Sequence, residues 1–134
     1  MKKIEHIGIA VSNLDEANKL YSNLLDLEPY KMEMVKSEGV KTSFFKSSNT
    51  KIELLEGVGE DNAISKFIKS RGEGIHHIAF EVDNIISEIE RLKKLGFKII
   101  NEKPRRGADN KLICFIHPKS TNHVLIELCQ EIKK

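Results

Sequence analysis

Two histidines and two glutamates are the residues of this 134-residue sequence that could carry metal chemistry: His6, Glu53, His77 and Glu127. Imidazole and carboxylate groups together suit Zn²⁺, Co²⁺, Ni²⁺, Mn²⁺ or Fe²⁺, whereas a structural zinc site would more often use cysteine. Four such ligands on an octahedral metal would leave two coordination positions for a substrate that binds through two oxygens. The residue types therefore point to metal-assisted chemistry on a small oxygen-bearing substrate.

These four residues fall in two copies of one sequence pattern. Residues 6–14 resemble residues 77–85, at an offset of 77 − 6 = 71. Residues 51–55 resemble residues 125–129, at an offset of 127 − 53 = 74. Two matches in the same order and at nearly the same offset predict a duplicated structural unit.

Each copy is predicted to fold as β-α-β-β-β. An alternating strand leads to Asn13 or Asn84, which are good N-caps, and then to apolar residues at helical spacing. Pro29 and Gly96 follow as terminators of the two helices. A helix at about 61–70 joins the copies, and residues 103–110 form a long polar loop. The predicted strands are 3–11, 30–36, 40–47, 51–56, 75–82, 97–102, 111–116 and 123–129.

Strand alternation places the candidate ligands away from the helices. Successive side chains of a strand point to opposite faces of its sheet. In the first strand, Ile7 and Ile9 share one face, and His6 lies on the other beside the small Gly8. The same alternation surrounds the other three candidates: Glu53, His77 and Glu127. We therefore expect the apolar face to pack against helices and the four ligands to converge where the two sheets curve together.

The composition is that of a soluble globular protein, with 40% apolar and 31% charged residues. A net charge of +2 argues against a dedicated nucleic-acid binder. No apolar signal region follows the N-terminal lysines and no window approaches a membrane span, so a cytoplasmic protein is expected. We expect a single domain over residues 1–134, with one module at about 1–58 and a second at about 74–131.

Other polar and sulfur-bearing residues are expected to play smaller parts. Cys114 and Cys129 lie inside apolar runs, which favours buried, reduced thiols. His76 has the wrong strand parity to join His77 in one site, and His117 lies in a proline-containing turn where exposure is usual. The adjacent residues 105 and 106 are both arginine and could bind phosphate or be solvated. No P-loop, GxGxxG motif or nucleophile elbow is present.

The repeated unit with its His and Glu pair resembles the vicinal-oxygen-chelate superfamily. Within it, the chain resembles the methylmalonyl-CoA epimerase family over nearly its whole length, through residues 6–11, 51–56, 61–67, 74–79, 117–120 and 124–128. The resemblance implies an α+β fold of two repeated βαβββ modules, whose strands form an incomplete, curved barrel-like sheet around a metal site. It also implies a homodimer and one divalent metal ion per chain, most often Co²⁺, with Zn²⁺, Ni²⁺ and Mn²⁺ as other possibilities.

The reaction implied by this resemblance is inversion at C2 of methylmalonyl-CoA. A proton leaves C2 to give an enolate, whose charge a chelated metal stabilises, and a proton returns to the other face. Glu127 is the first candidate for the proton-transfer group and Glu53 the second. The phosphates of an acyl-CoA substrate favour cations at a pocket rim, for which Arg105, Arg106 and Lys119 are the candidates. Neither nucleic acid nor a membrane is expected as a partner.

Two positions depart from the pattern of the family. Some epimerases carry a glutamate, proposed as a base, shortly after a Gly-Val dipeptide. Here Gly39-Val40 is followed by Lys41 and Thr42, and Thr42 occupies the matching place. His123 stands where the family commonly has glycine before the last strand. The identity of one base and the effect of His123 are therefore open.

Glyoxalase I is the main alternative, because its bacterial members resemble this chain in having two His and two Glu ligands. The His117-Pro118-Lys119-Ser120 turn and the His76-His77 pair favour the epimerase. A small-molecule-binding module of the same fold is a third alternative, but such modules often lack the metal ligands. The native metal, the base on each face of C2 and the dimer geometry are open from the sequence.

Overall fold

A computed structural model describes residue 1 and residues 3–133 of the chain. Among these residues the helices are α1 (Leu14–Leu25), α2 (Ala63–Arg71) and α3 (Ile85–Lys94). The strands are β1 (Lys3–Ala10), β2 (Lys31–Val35), β3 (Val40–Ser47), β4 (Thr50–Gly57), β5 (Gly74–Glu81), β6 (Arg105–Arg106), β7 (Lys111–Ile116) and β8 (Ile126–Glu131). The α+β class and the β-α-β-β-β order of both copies are confirmed. Within the described part of the chain, no helix is long and apolar enough to cross a membrane.

The chain divides into two compact units, His6–His76 and His77–Lys134 with Met1–Glu5. In the His6–His76 unit the strand order is β2-β3-β4-β1, in which β1 and β4 are parallel and the other neighbours antiparallel. Leu14 of α1 is buried against Phe45 and Leu54 on one face of these strands. Ile64 of α2 is buried with Leu55 on the opposite face. The alternating apolar residues therefore pack against α1, as the strand parity predicts.

The start of α2 lies very close to β4. A Cβ atom on Gly57 would stand 2.1 Å from Ser65 Oγ and 2.3 Å from Asn62 Oδ1, so no side chain fits there. Asn62 ties the two elements together, because its Oδ1 accepts from the Ser65 N–H at 2.7 Å. Its Nδ2 donates to the carbonyl oxygens of Val58 and Gly59 at 3.1 and 3.2 Å. These bonds fix α2 over the end of β4.

The second unit repeats this construction. Its strand order is β6-β7-β8-β5, with β5 and β8 parallel and the other neighbours antiparallel. The core forms between α3 and the strands, where Ile85, Ile89 and Leu92 are buried with Cys114 and Leu128. The apolar faces of β7 and β8 therefore pack against α3, again as strand parity predicts.

Both predicted N-caps are confirmed. Asn13 Oδ1 accepts from the Glu16 N–H at 3.0 Å, and Asn84 Oδ1 accepts from the Ser87 N–H at 3.1 Å. These bonds satisfy backbone donors that have no partner in the first turn of a helix. Both helices also end before the predicted terminators.

The predicted strand at 97–102 is wrong. Only Ile99 pairs there, as an isolated bridge to Ile116, and the ladder with β7 resumes at β6 inside the predicted polar loop. Asn101 explains the interruption, because its side-chain Oδ1, rather than a backbone carbonyl, accepts from the Phe115 N–H at 3.4 Å. Pro104 follows with no N–H to donate. A side-chain hydrogen bond and a proline thus break an edge strand whose apolar pattern looks continuous.

The last strand begins at Ile126, three residues later than the predicted start at 123. Asn122 and His123 adopt left-handed backbone angles, with φ of 57° and 68°, which a strand cannot accommodate. Thr121 Oγ1 donates to the Val124 carbonyl at 2.6 Å and closes the turn. The φ of His123 gives a backbone reason why glycine is common at this position in the family it resembles.

Candidate active site

His6 and Glu53 are brought together by the parallel pairing of β1 and β4. Gly8 is the register partner of Glu53, so His6, two residues earlier on β1, lies on the same side of the strands. His6 Nε2 stands 3.2 Å from Glu53 Oε1, with side-chain exposures of 6% and 5%. We call this side of the strands the His6 face. Gly8 itself contributes no side chain to this face beside Glu53.

His77 and Glu127 form the equivalent pair in the other unit. Ala79 is the register partner of Glu127 in the parallel pairing of β5 and β8, and His77 lies on the same side. His77 Nε2 stands 3.3 Å from Glu127 Oε1, with side-chain exposures of 3% and 7%. We call this side the His77 face. The two pairs thus repeat each other in elements, register, distance and burial.

An aromatic ring holds each histidine, and sequence reasoning missed both rings. Phe44 contacts His6 in a T-shaped arrangement, with ring centroids 6.4 Å apart and planes at 86°. Phe115 contacts His77 in the same way, at 6.0 Å and 87°. Each phenylalanine is the antiparallel register partner of the glutamate of its pair. Their offset of 115 − 44 = 71 equals that of the histidines and is the signal that could have revealed them.

The donor set of each pair fits a divalent metal. A buried carboxylate next to a buried imidazole needs a shared proton or a metal ion to offset the cost of removing both from water. Neighbouring ligand atoms with bonds of about 2.1 Å lie about 3.0 Å apart on an octahedral metal and about 3.4 Å on a tetrahedral one. The separations of 3.2 and 3.3 Å within the pairs fall in this range.

Side chains from the last strand of each copy also fix the start of its helix. Glu56 Oε1 accepts from the Leu14 N–H at 2.7 Å, and Gln130 Oε1 accepts from the Ile85 N–H at 2.8 Å. Glu56 and Gln130 are three residues after Glu53 and Glu127, on the side of the strands that faces α1 in one copy and α3 in the other. These bonds couple each strand that carries a candidate ligand to its own helix. The offset of 130 − 56 = 74 equals that of the glutamates.

Thr42 lies on the His6 face, and its side-chain hydroxyl has no hydrogen-bond partner. It is two residues from Phe44 on β3, and only 1% of its surface is exposed. Among the described residues, its Oγ1 is one of three buried side-chain atoms without a partner. The facing residue on β2 is Glu33, whose carboxylate stands 3.5 Å from Lys31 Nζ. A buried hydroxyl without a partner is uncommon and calls for an explanation.

The three candidate cations for phosphate binding occupy different places. Arg105 pairs with Ile113 in the ladder of β6 and β7, which puts it on the His77 face. Its guanidinium lies 6.0 Å from the ring centroid of Phe115, the ring that contacts His77. Arg106 points to the opposite side of β6, and Lys119 lies in the 3-10 helix Pro118–Ser120. Of the three, Arg105 is the one connected by contacts to a candidate ligand.

The remaining histidines lie outside the pairs. His76 contacts Phe67 of α2 at a centroid distance of 5.0 Å. His117 is half-buried rather than exposed, and its Nδ1 accepts from the Lys119 N–H at 3.1 Å. His123 is exposed. The His117 imidazole thus stabilises this turn by accepting a backbone hydrogen bond.

Both cysteines are buried and free, as predicted. Burial, with a smaller contribution from Glu127, raises the pKa of Cys114 to about 12. The same causes raise the pKa of Cys129 well above its usual range. Both thiols therefore stay protonated at neutral pH and are poor nucleophiles.

Comparisons with known proteins agree with this geometry. Residues 5–115 match the model of the Glyoxalase/Bleomycin resistance protein/Dioxygenase superfamily. The chain is 38% identical to an ethylmalonyl-CoA/methylmalonyl-CoA epimerase from Cereibacter sphaeroides, over 96% of this chain and 97% of that protein. This similarity covers both copies of the repeat.

Solved structures show the same fold. A hypothetical protein from Bacillus halodurans has a TM-score of 0.95 and 42% identity, over 98% of this chain and 96% of that one. A variant of the methylmalonyl-CoA epimerase of Streptomyces coelicolor, in complex with 2-nitronate-propionyl-CoA, has a TM-score of 0.92 and 31% identity, over 98% and 95%. The chain therefore belongs to the methylmalonyl-CoA epimerase family within the Glyoxalase/Bleomycin resistance protein/Dioxygenase superfamily.

Proposed function

We propose that the chain is a metal-dependent methylmalonyl-CoA epimerase, which inverts C2 by removing and returning a proton. The observation that carries the proposal is the pair of matching, buried His–Glu contacts, at 3.2 Å in one unit and 3.3 Å in the other. Relatives that span nearly the whole chain are methylmalonyl-CoA epimerases. Metal binding by the two His–Glu pairs would thus fit the epimerase activity of these relatives.

We infer that one divalent ion per chain is held by His6, Glu53, His77 and Glu127, with Co²⁺ first and Zn²⁺, Ni²⁺ or Mn²⁺ as alternatives. When bound, such an ion supplies Lewis-acid stabilisation of the negative charge that develops beside C2. The chain itself orients the ligands, because the edge contacts of Phe44 and Phe115 fix the imidazole planes. Ring orientation of this kind limits which nitrogen can face the ion.

Glu127 is our first candidate for proton transfer at C2, and Glu53 is the second. Glu127 is 5% exposed and stands beside Ala79, so its carboxylate has a dry surrounding and a small neighbour. In the carboxylate form it would accept the C2 proton, which leaves the electron pair on the enolate. Burial would keep water from supplying that proton at random to either face.

The acyl-CoA substrate needs a cation for its phosphates, and Arg105 is the best-supported of the three candidates. Its place over Phe115 connects it to His77, whereas Arg106 points to the other side of β6. Lys119, in the 3-10 helix after β7, is the second choice. Guanidinium groups suit phosphate because they donate two parallel hydrogen bonds. A homodimer and a cytoplasmic location stay predictions.

The test is to supply the purified protein, with Co²⁺, with one epimer of methylmalonyl-CoA and to follow its conversion to the other. The epimerase proposal predicts approach to an equal mixture. Glyoxalase I activity would instead convert the hemithioacetal of glutathione and methylglyoxal into lactoylglutathione, so that substrate is assayed in parallel. Binding of both substrates without turnover of either would identify a non-catalytic module and contradict the proposal.

A further inference from the structure

The His6 face carries a second carboxylate that the proposed metal site does not use. Register pairs Glu53 of β4 with Phe44 of β3, and Thr42 of β3 with Glu33 of β2. Facing residues of antiparallel strands lie on the same side of a sheet, as do residues two apart on one strand. Within the described strands of the His6–His76 unit, Glu33 and Glu53 are therefore the two carboxylates on the His6 face.

The spacing of these carboxylates suits a small substrate between them. Glu33 is two strands and two residues away from Glu53, which corresponds to a Cα separation of about 12 Å in sheet geometry. Both side chains extend from the same face, and this backbone separation is compatible with a malonyl-sized group between their carboxylates. Glu33 is 30% exposed, in contrast to the 5% exposure of Glu53. Its carboxylate can therefore exchange protons with solvent.

Thr42 lies between these two carboxylates and cannot serve as a base itself. A hydroxyl is far too weak a base at neutral pH to remove a proton from carbon. Its buried Oγ1 has no hydrogen-bond partner, and the Cβ of Glu33 is about 5 Å away across the strands. The hydroxyl can thus donate to the Glu33 carboxylate or to a substrate oxygen. On β3, at the place where some epimerases of the family it resembles have a glutamate, this chain has a hydrogen-bond donor with a carboxylate on the next strand.

We propose that Glu33 is the second proton-transfer residue of the epimerase reaction, with Thr42 positioning its carboxylate or the substrate. This inference rests on the proposed function. Glu33 as a carboxylate accepts the proton of one epimer: the C2–H bond breaks, an O–H bond forms, and the electron pair remains on the enolate. A proton on the other group, Glu127, then bonds to the opposite face of C2. The reverse sequence serves the other epimer, and no oxidant or reductant is required.

Glu33→Gln tests the proposal, because the amide keeps the size of the side chain but cannot accept the proton. Each epimer of methylmalonyl-CoA is incubated separately in D₂O with the Co²⁺-loaded protein, and both epimerisation and C2 deuterium uptake are measured. We expect epimerisation to fall by about 10²–10⁴-fold. We expect deuterium uptake to persist from one epimer, since Glu127 still acts on its face. Glu33→Asp, which keeps a carboxylate, should recover part of the lost epimerisation.

Glu28→Gln is the matched control, because it makes the same chemical change at an exposed residue before β2. It should leave both rates unchanged, and the bound metal and thermal midpoint of Glu33→Gln should equal those of the wild type. Epimerisation by Glu33→Gln at the wild-type rate would overturn the proposal, as would equal loss of exchange from both epimers. A wild-type protein that neither epimerises nor exchanges would instead refute the proposed function itself.

Discussion

At the scale of single residues, the candidate chemistry depends on how a buried imidazole and a buried carboxylate are kept next to each other. Their removal from water is costly, and the cost is repeated in both units. Each histidine has a phenylalanine against its ring and a glutamate beside its Nε2. The presence of so costly an arrangement in both copies favours a functional over a structural origin.

Removal of one imidazole tests the metal site directly. We expect His77→Ala to weaken Co²⁺ binding by more than about 100-fold, since loss even of a partner of a ligand costs about 10–100-fold. His76→Ala is the matched control, because His76 is adjacent in sequence but contacts Phe67 instead. The measurement is a Co²⁺ titration of each folded variant. Equal Co²⁺ affinity in His77→Ala and His76→Ala would show that His77 is not a ligand.

Strand parity sufficed to predict that each His and each Glu lies on the strand face opposite the bulky apolar residues, because a period of two leaves only two choices for each side chain. It could not predict Phe44 and Phe115, which look like ordinary apolar strand residues until the register is known. It also could not predict whether Arg105 or Arg106 lies on the His77 face, because β6 falls within a segment whose polar composition predicts a loop. The direction of these side chains depends on the pairing of β6 with β7, which the sequence pattern does not predict.

At the scale of the element, local hydrogen bonds decide where helices and strands begin. The caps at Asn13 and Asn84 were predictable because the accepting side chain and the backbone N–H that donates to it are three residues apart. The break near Asn101 was not, because its Oδ1 bonds to Phe115, which is 14 residues away. The late start of β8 follows from left-handed angles at Asn122 and His123. Hydrogen bonds between residues close in sequence could thus be predicted, whereas hydrogen bonds from distant residues that interrupt a strand could not.

His123 provides a stability prediction for this turn. Its φ of 68° is strained for a residue with a Cβ atom and ordinary for glycine. We expect the free energy of unfolding of His123→Gly to exceed that of His123→Ala by about 1 kcal/mol, since alanine keeps the Cβ atom. Denaturant unfolding of both variants measures the difference. A less stable glycine variant would show that the left-handed angle is not a source of strain.

At the scale of the whole molecule, the duplicated unit explains why so much could be inferred from so few residues. Offsets of 71 and 74 relate the histidines, the glutamates, the phenylalanines and the helix-fixing side chains of the two copies. The copies differ where the chemistry must be asymmetric. Thr42 and Glu33 in one copy correspond by register to Ile113 and Arg105 in the other. At these corresponding positions, we infer, Glu33 serves in proton transfer and Arg105 in anion binding.

Exchange of the C2 hydrogen of methylmalonyl-CoA with D₂O tests whether this chain removes that proton in a metal-dependent way. The protein is stripped of metal with a chelator, one portion is reloaded with one equivalent of Co²⁺, and loss of the C2 proton signal is followed by NMR. We predict catalytic exchange in the reloaded protein and only the uncatalysed rate in the metal-free protein. Exchange at the uncatalysed rate with Co²⁺ fully bound, or equally fast exchange without metal, would show that the chain is not a metal-dependent epimerase.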